Sequence, residues 1–187
     1  MWNLTCICQV VFFGTNDSIV PDSASNNSVP VEKYQDNLRK IVSAAENVGA
    51  KVILIGPGPF NHQQFDDALG HQFEVDRTTH RAREYCNATV DVGKELGVPT
   101  VPMWDLIMEE VGWKEGDPIY GLPELPAVNP LNDYLTDGMC YAFANELSWI
   151  IQLMSPFYRP ALFRPCLQGT FHKCAKSNQG VLSGTGP

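Results

Sequence analysis

Several things are missing from this chain, and each absence excludes something. No apolar run approaches the about 18 residues that a membrane-spanning helix needs. The apolar start, MWNLTCICQVVFFG, has no basic flank and no clear cleavage site, so it reads as a strand rather than a leader. A basic excess is missing too. The 13 Lys+Arg against 21 Asp+Glu leave a net charge of −8, and a nucleic-acid binder is expected to show a basic face instead. There is no dense disulfide framework. Cys6, Cys8, Cys86, Cys140, Cys166 and Cys174 are scattered, mostly beside apolar residues, and read as buried reduced thiols. Cys166, His172 and Cys174 have no evident fourth ligand, so no metal is expected, and nothing calls for a cofactor. The default compartment is the cytosol.

Acidic residues are also missing from the C-terminal stretch. Residues 147–187 carry four basic residues and no acid, giving +4, while residues 1–146 carry −12. The change in composition predicts one domain over residues 1–150 and a loose basic tail over 151–187. That tail contains Pro156, Pro160 and Pro165, is rich in glycine and shows no sustained period.

What is present suits a folded domain: 44% of residues are hydrophobic and 18% charged. CICQVVFFG (6–14) and KVILIGPGP (51–59) are apolar runs ending at glycine or proline, as strands buried on both faces do. The polar, Pro-containing stretch 15–30 between the first strand and the first helix is a loop. Tyr34, Leu38, Ile41, Ala45 and Val48 step at helical spacing, which predicts a helix over 31–49. A second helix is predicted from about Glu74 to Leu96, then a strand over 98–105 weakened by Pro99 and Pro102, a short helix over 105–113, and a last helix over 142–154. Strands alternating with helices predict a parallel α/β sheet, whose ligands bind beyond the carboxyl ends of the strands.

Two stretches could carry chemistry. In FFGTNDS, Gly14 permits a tight turn and Asn16 follows at the strand's carboxyl end. An Asn amide there can donate to a developing oxyanion, or simply shape the turn. In YLTDGMC, Asp137 lies three residues before Cys140. An acid so placed can orient a catalytic base or cap the helix that follows.

Taken in order, FFGTNDS, VPVEKYQDNLRKIV, VILIGPGP, GVPTVPMWDLIM and YLTDGM resemble the SGNH hydrolases, also called GDSL esterase/lipases. Within that family the likeness is greatest to the isoamyl acetate-hydrolysing esterases, and it runs from about Val10 to Leu147. The resemblance implies a three-layer α/β/α sandwich with a parallel, flavodoxin-like sheet and hydrolysis of small acyl esters such as acetate esters. It places the oxyanion donor at Asn16, in the block begun by Gly14, and the triad acid at Asp137.

Two departures from the family pattern stand beside these matches. The 187 residues contain no Gly-Asp-Ser, the block that carries the nucleophile, nor the second block's glycine donor. The family's catalytic His falls on Cys140. A thiol offers one titrating site, whereas a relay from nucleophile to acid needs both imidazole nitrogens. Asp137 nearby would also raise the pKa of a nucleophilic thiol rather than lower it. Cys140 is therefore expected to pack rather than catalyse. His62, His71 and His80 read as surface residues, and Ser18 has no feature of a nucleophile.

The expectation is a truncated family member with impaired or no activity. Its alternative is a catalytically dead α/β module that binds an ester-like ligand or a protein partner. A flavodoxin-like nucleotide binder is a more distant third, because the 14–18 loop lacks a glycine-rich cradle. With the N-terminal strands missing, Val10, Val11, Phe12 and Phe13 are expected on an exposed sheet edge. That edge invites self-association and poor folding of the isolated chain.

Overall fold

A computed structural model describes residues 7–23, 27–70, 76–120, 131 and 135. The element order is β1 (Cys8–Phe12), α1 (Val31–Asn47), β2 (Lys51–Ile55), α2 (His62–Ala68), α3 (Thr79–Leu96), β3 (Thr100–Val101) and α4 (Met103–Glu110). The strands form a parallel sheet in the order β1-β2-β3. Val10 lies against Ile53 and Val11 against Leu54, while Ile55 pairs with Phe12 on one side and Val101 on the other.

Alternation along β2 divides the core between two faces. Val52 and Leu54 pack with Val11, with Tyr34, Leu38 and Val42 of α1, and with Tyr85, Ala88 and Val92 of α3. Ile53 and Ile55 point the other way, into a cluster with Met103, Trp104, Ile107 and Met108 of α4 and with Leu131 and Leu135. Helices on both faces of a parallel sheet make the α/β/α sandwich. α3 serves both clusters, because Ala82 and Cys86 join the second while Tyr85, Ala88 and Val92 join the first. Among the described residues, β1 pairs on one side only, with β2. Val11 is buried there, whereas Ile7, Val10 and Phe13 are exposed.

The first helix follows its expected bounds closely, starting after Pro30. The second differs. Residues 76–78 are not helical, and α3 starts at Thr79 because the Thr78 side chain caps it by accepting from the Arg81 N–H. His62, expected in a loop, opens α2, a seven-residue helix capped by Asn61. The third strand shrinks to two residues. Prolines at 99 and 102 cannot donate to a sheet ladder, and α4 begins directly after Pro102. The helix expected over 142–154 and the tail over 151–187 lie outside the described residues. No helix among the described residues is long and apolar enough to cross a membrane.

Candidate active site at the carboxyl ends of β1 and β2

The chain leaves β1 through a turn that only glycine can open. Gly14 has φ +116°, and a Cβ there would sit 2.9 Å from Tyr34 Oη and 3.0 Å from the Pro57 ring. Tyr34 Oη donates to the Phe13 carbonyl (3.1 Å), which fixes the strand end against α1. The turn then closes on itself. Ser18 N–H donates to Gly14 O (2.9 Å) and Ile19 N–H to Asn16 O (3.2 Å). Ser18 is buried and its hydroxyl donates to the Thr15 carbonyl (3.0 Å). Asn16 is left exposed at the crest of the turn.

The segment leading into α3, together with that helix's first turn, clasps this turn in three places. Arg77 Nη2 donates to Asn16 Oδ1 at 3.1 Å. Arg81 Nε donates to the Ser18 carbonyl at 2.9 Å. The Val20 N–H donates to the Asp76 carbonyl at 2.7 Å. Arg77 is itself held. Its Nη1 pairs with Asp76 Oδ1 at 2.6 Å, and its guanidinium lies 5.6 Å from the centre of the Phe65 ring. Sequence reasoning missed Arg77. An Arg beside an Asp reads as a solvated pair, and no period links position 77 to position 16.

The carboxyl end of β2 is built differently. Residues 56–60, Gly-Pro-Gly-Pro-Phe, are all buried. Asn61 is buried as well, and its Oδ1 accepts from the Gln64 N–H at 3.2 Å to start α2. Gln64 Nε2 then donates to the Leu135 carbonyl at 2.6 Å. That bond brings the chain, two residues before Asp137, to the end of the sheet where Asn16 also lies. Asp137 and Cys140 themselves lie outside the described residues.

Among the described residues, no hydrogen bond joins another candidate group to Asn16. His62 is half-buried at the start of α2 and His80 is exposed on α3, while His71 lies outside the described residues. Cys86 lies under the β2 loop, and burial pushes its thiol up to about 12, so it is no nucleophile at neutral pH. Burial also raises the Asp105 carboxyl, an effect that the Arg83 guanidinium opposes. Among the described residues no group of three or more His, Cys, Asp or Glu is placed to hold a metal. Cys166, His172 and Cys174 lie outside them.

Chemically, the turn offers an amide. A guanidinium only donates, so its bond to Asn16 Oδ1 leaves the Nδ2 hydrogens as what Asn16 presents at the mouth of the sheet.

No family model matches the chain. A GDSL esterase/lipase of Oryza sativa subsp. japonica, WDL1, is 31% identical over 108 residues, which are 56% of this chain and 42% of its own. The isoamyl acetate-hydrolyzing esterase 1 homolog of Homo sapiens is 28% identical over 107 residues, covering 55% and 43%. The isoamyl acetate-hydrolyzing esterase of Saccharomyces cerevisiae is 25% identical over 164 residues, covering 82% and 60%. The match thus takes in less than half the length of the rice and human proteins. Among solved structures, a lipase/acylhydrolase from Enterococcus faecalis has a TM-score of 0.49 at 21% identity, covering 81% of this chain and 62% of its own.

Proposed function

We propose that the site is that of a carboxylic ester hydrolase for small acyl esters such as acetates, a reading supported by the chain's similarity to GDSL esterase/lipases and isoamyl acetate-hydrolyzing esterases. One observation supports this reading above the others. Asn16 stands at the carboxyl end of a parallel strand with its carbonyl oxygen already engaged by Arg77. Its remaining donors suit the oxygen of a tetrahedral intermediate. Gly14 is the residue that lets the turn form, and Asp137 is the acid that would orient a base.

We further propose that this chain turns over poorly or not at all. Its 187 residues hold no Gly-Asp-Ser, and Cys140 stands where a base is required. Loss of the nucleophile or the base in comparable triads costs about 10⁶-fold in turnover. The cytosol is the proposed compartment.

The test is hydrolysis of a chromogenic acetate ester by the purified chain beside Asn16→Ala. Turnover that falls about 10²–10³-fold on substitution supports the oxyanion role. Equal background from both soluble proteins would support the proposed loss of turnover and leave a second reading, a binding module without chemistry. The exposed Val10 of β1, with Ile7 and Phe13 flanking it, favours that reading, since a strand that pairs on one side among the described residues can take another strand.

A further inference from the structure

We infer that Arg77 is the positioning residue for the Asn16 amide. The inference rests on the reading of Asn16 as oxyanion donor and adds to it the group that aims the donor. A primary amide can turn over about its side-chain torsion, presenting either its oxygen or its nitrogen to a ligand. Asn16 is exposed, so packing does not choose between the two. Arg77 does. Its guanidinium carries no acceptor, so it accepts Asn16 only by the carbonyl oxygen, at 3.1 Å, and the Nδ2 hydrogens must face away from it.

Arg77 is suited to this because it cannot swing freely. Its side chain is 14% exposed, and that of its partner Asp76 is 11%. The Asp76 carboxylate holds one terminal nitrogen and the guanidinium carbon lies over the Phe65 ring, while the other terminal nitrogen reaches Asn16. The Asp76 carbonyl in turn ties the same segment to Val20, four residues past Asn16. Donor and positioning group therefore stand on two segments fastened to each other, and little reorganisation remains when charge develops on the substrate. The guanidinium also sets a positive charge behind the amide, which polarises Nδ2–H as a donor.

The experiment uses the full chain, uniformly labelled with ¹⁵N. The Asn16 side-chain amide pair is assigned by its loss in Asn16→Ala. Accepting a hydrogen bond at the carbonyl strengthens the C–N double bond and slows rotation about it. In Arg77→Met the Asn16 pair is expected to shift and its two protons to interchange faster, while the Trp104 indole N–H, which donates to the Thr79 carbonyl close by, stays in place. Arg77→Lys, a single compact donor, should fall between the two, and it serves if Arg77→Met does not fold. An Asn16 pair unmoved by Arg77→Met or Arg77→Lys would overturn the inference, and so would a shift of Trp104 as large as that of Asn16.

Acetate-ester turnover separates this inference from the reading beneath it. If Asn16→Ala leaves turnover unchanged, the oxyanion reading falls, whatever Arg77 does. If Asn16→Ala lowers turnover and Arg77→Met does not, the positioning role falls. Support would be a drop of up to about 100-fold in kcat for Arg77→Met with KM unchanged, partly restored by Arg77→Lys. In a chain without measurable turnover the amide resonances decide alone.

Discussion

The loops that leave β1 and β2 end on the same side of the sheet and solve opposite problems. After β1 the chain keeps Asn16 at the surface and fixes it from outside, by Arg77, Arg81 and the Asp76 carbonyl. After β2 the chain goes inward. Residues 56–60 are buried, and a Cβ on Gly56 would come within 2.7 Å of Cys86 Sγ. The first loop presents a polar group and is held by hydrogen bonds. The second is a foundation held by packing. Substitutions should therefore act on different observables: function and local geometry in the first, global stability in the second.

The largest expected effect tests the foundation. Phe60 is 3% exposed and its ring lies 5.2 Å from that of Phe65. Phe60→Ala should lower unfolding free energy by about 3–5 kcal/mol, read as a shift of the urea midpoint at constant slope. A loss under 1 kcal/mol would mean that the β2 loop is not a packed foundation.

The next test is alkaline pH. Burial disfavours the Cys86 thiolate and pushes the thiol from its ordinary 9.0 up to about 12 in the fold. Above pH 9 the unfolded chain gives up a proton that the native chain retains. The contribution is therefore intact below pH 9 and is lost as pH rises through 9 toward 12. Urea melts between pH 8 and 10.5 should show stability falling, and Cys86→Ala should flatten that fall. Equal slopes in both proteins would remove Cys86 as the cause.

Gly14→Ala sharpens the contrast from the other side. It places a Cβ against Tyr34 and Pro57 at φ +116°, and should cost about 1–3 kcal/mol. The spectral signature should be confined to the first loop, the start of α1 and the immediate neighbours of Pro57, with the Trp104 indole N–H unmoved. A spread of shifts past Pro57 to Phe60 and α2 would contradict the division between the loops. Smallest of all is the stability effect of Asn16→Ala, expected within about 0.5 kcal/mol. A much larger loss would make Asn16 a structural residue like Phe60.

The parts legible in sequence are those set by local pattern. Short apolar runs ending at glycine or proline marked β1 and β2, and the Tyr34–Leu38–Ile41–Ala45 spacing located α1 to within two residues of its end. α2 escaped because its seven residues bury Phe65 alone and owe their start to the Asn61 cap. The onset of α3 escaped because its stepping residues begin only at Ala82 and do not mark where the helix starts, which the Thr78 cap sets. At the candidate site, Gly14 and Asn16 stood out by residue type at a strand end, and both lie there. Arg77 did not, because its contact spans 61 residues and depends on how α3 crosses the sheet. Asp137 and Cys140 rest on the resemblance alone, with the Gln64–Leu135 bond as the nearest described feature.

α3 has a further consequence through its place in both cores. A helix that packed on one face could open while the other face stayed shut. This one contributes Tyr85, Ala88 and Val92 to one cluster and Ala82 and Cys86 to the other, so no partial opening frees its middle turns. Their backbone amides should exchange with deuterium only as fast as the whole domain unfolds, among the slowest in the molecule. The Asn16 turn, fastened to the N-terminal end of that helix, borrows its persistence from the least perishable element of the fold.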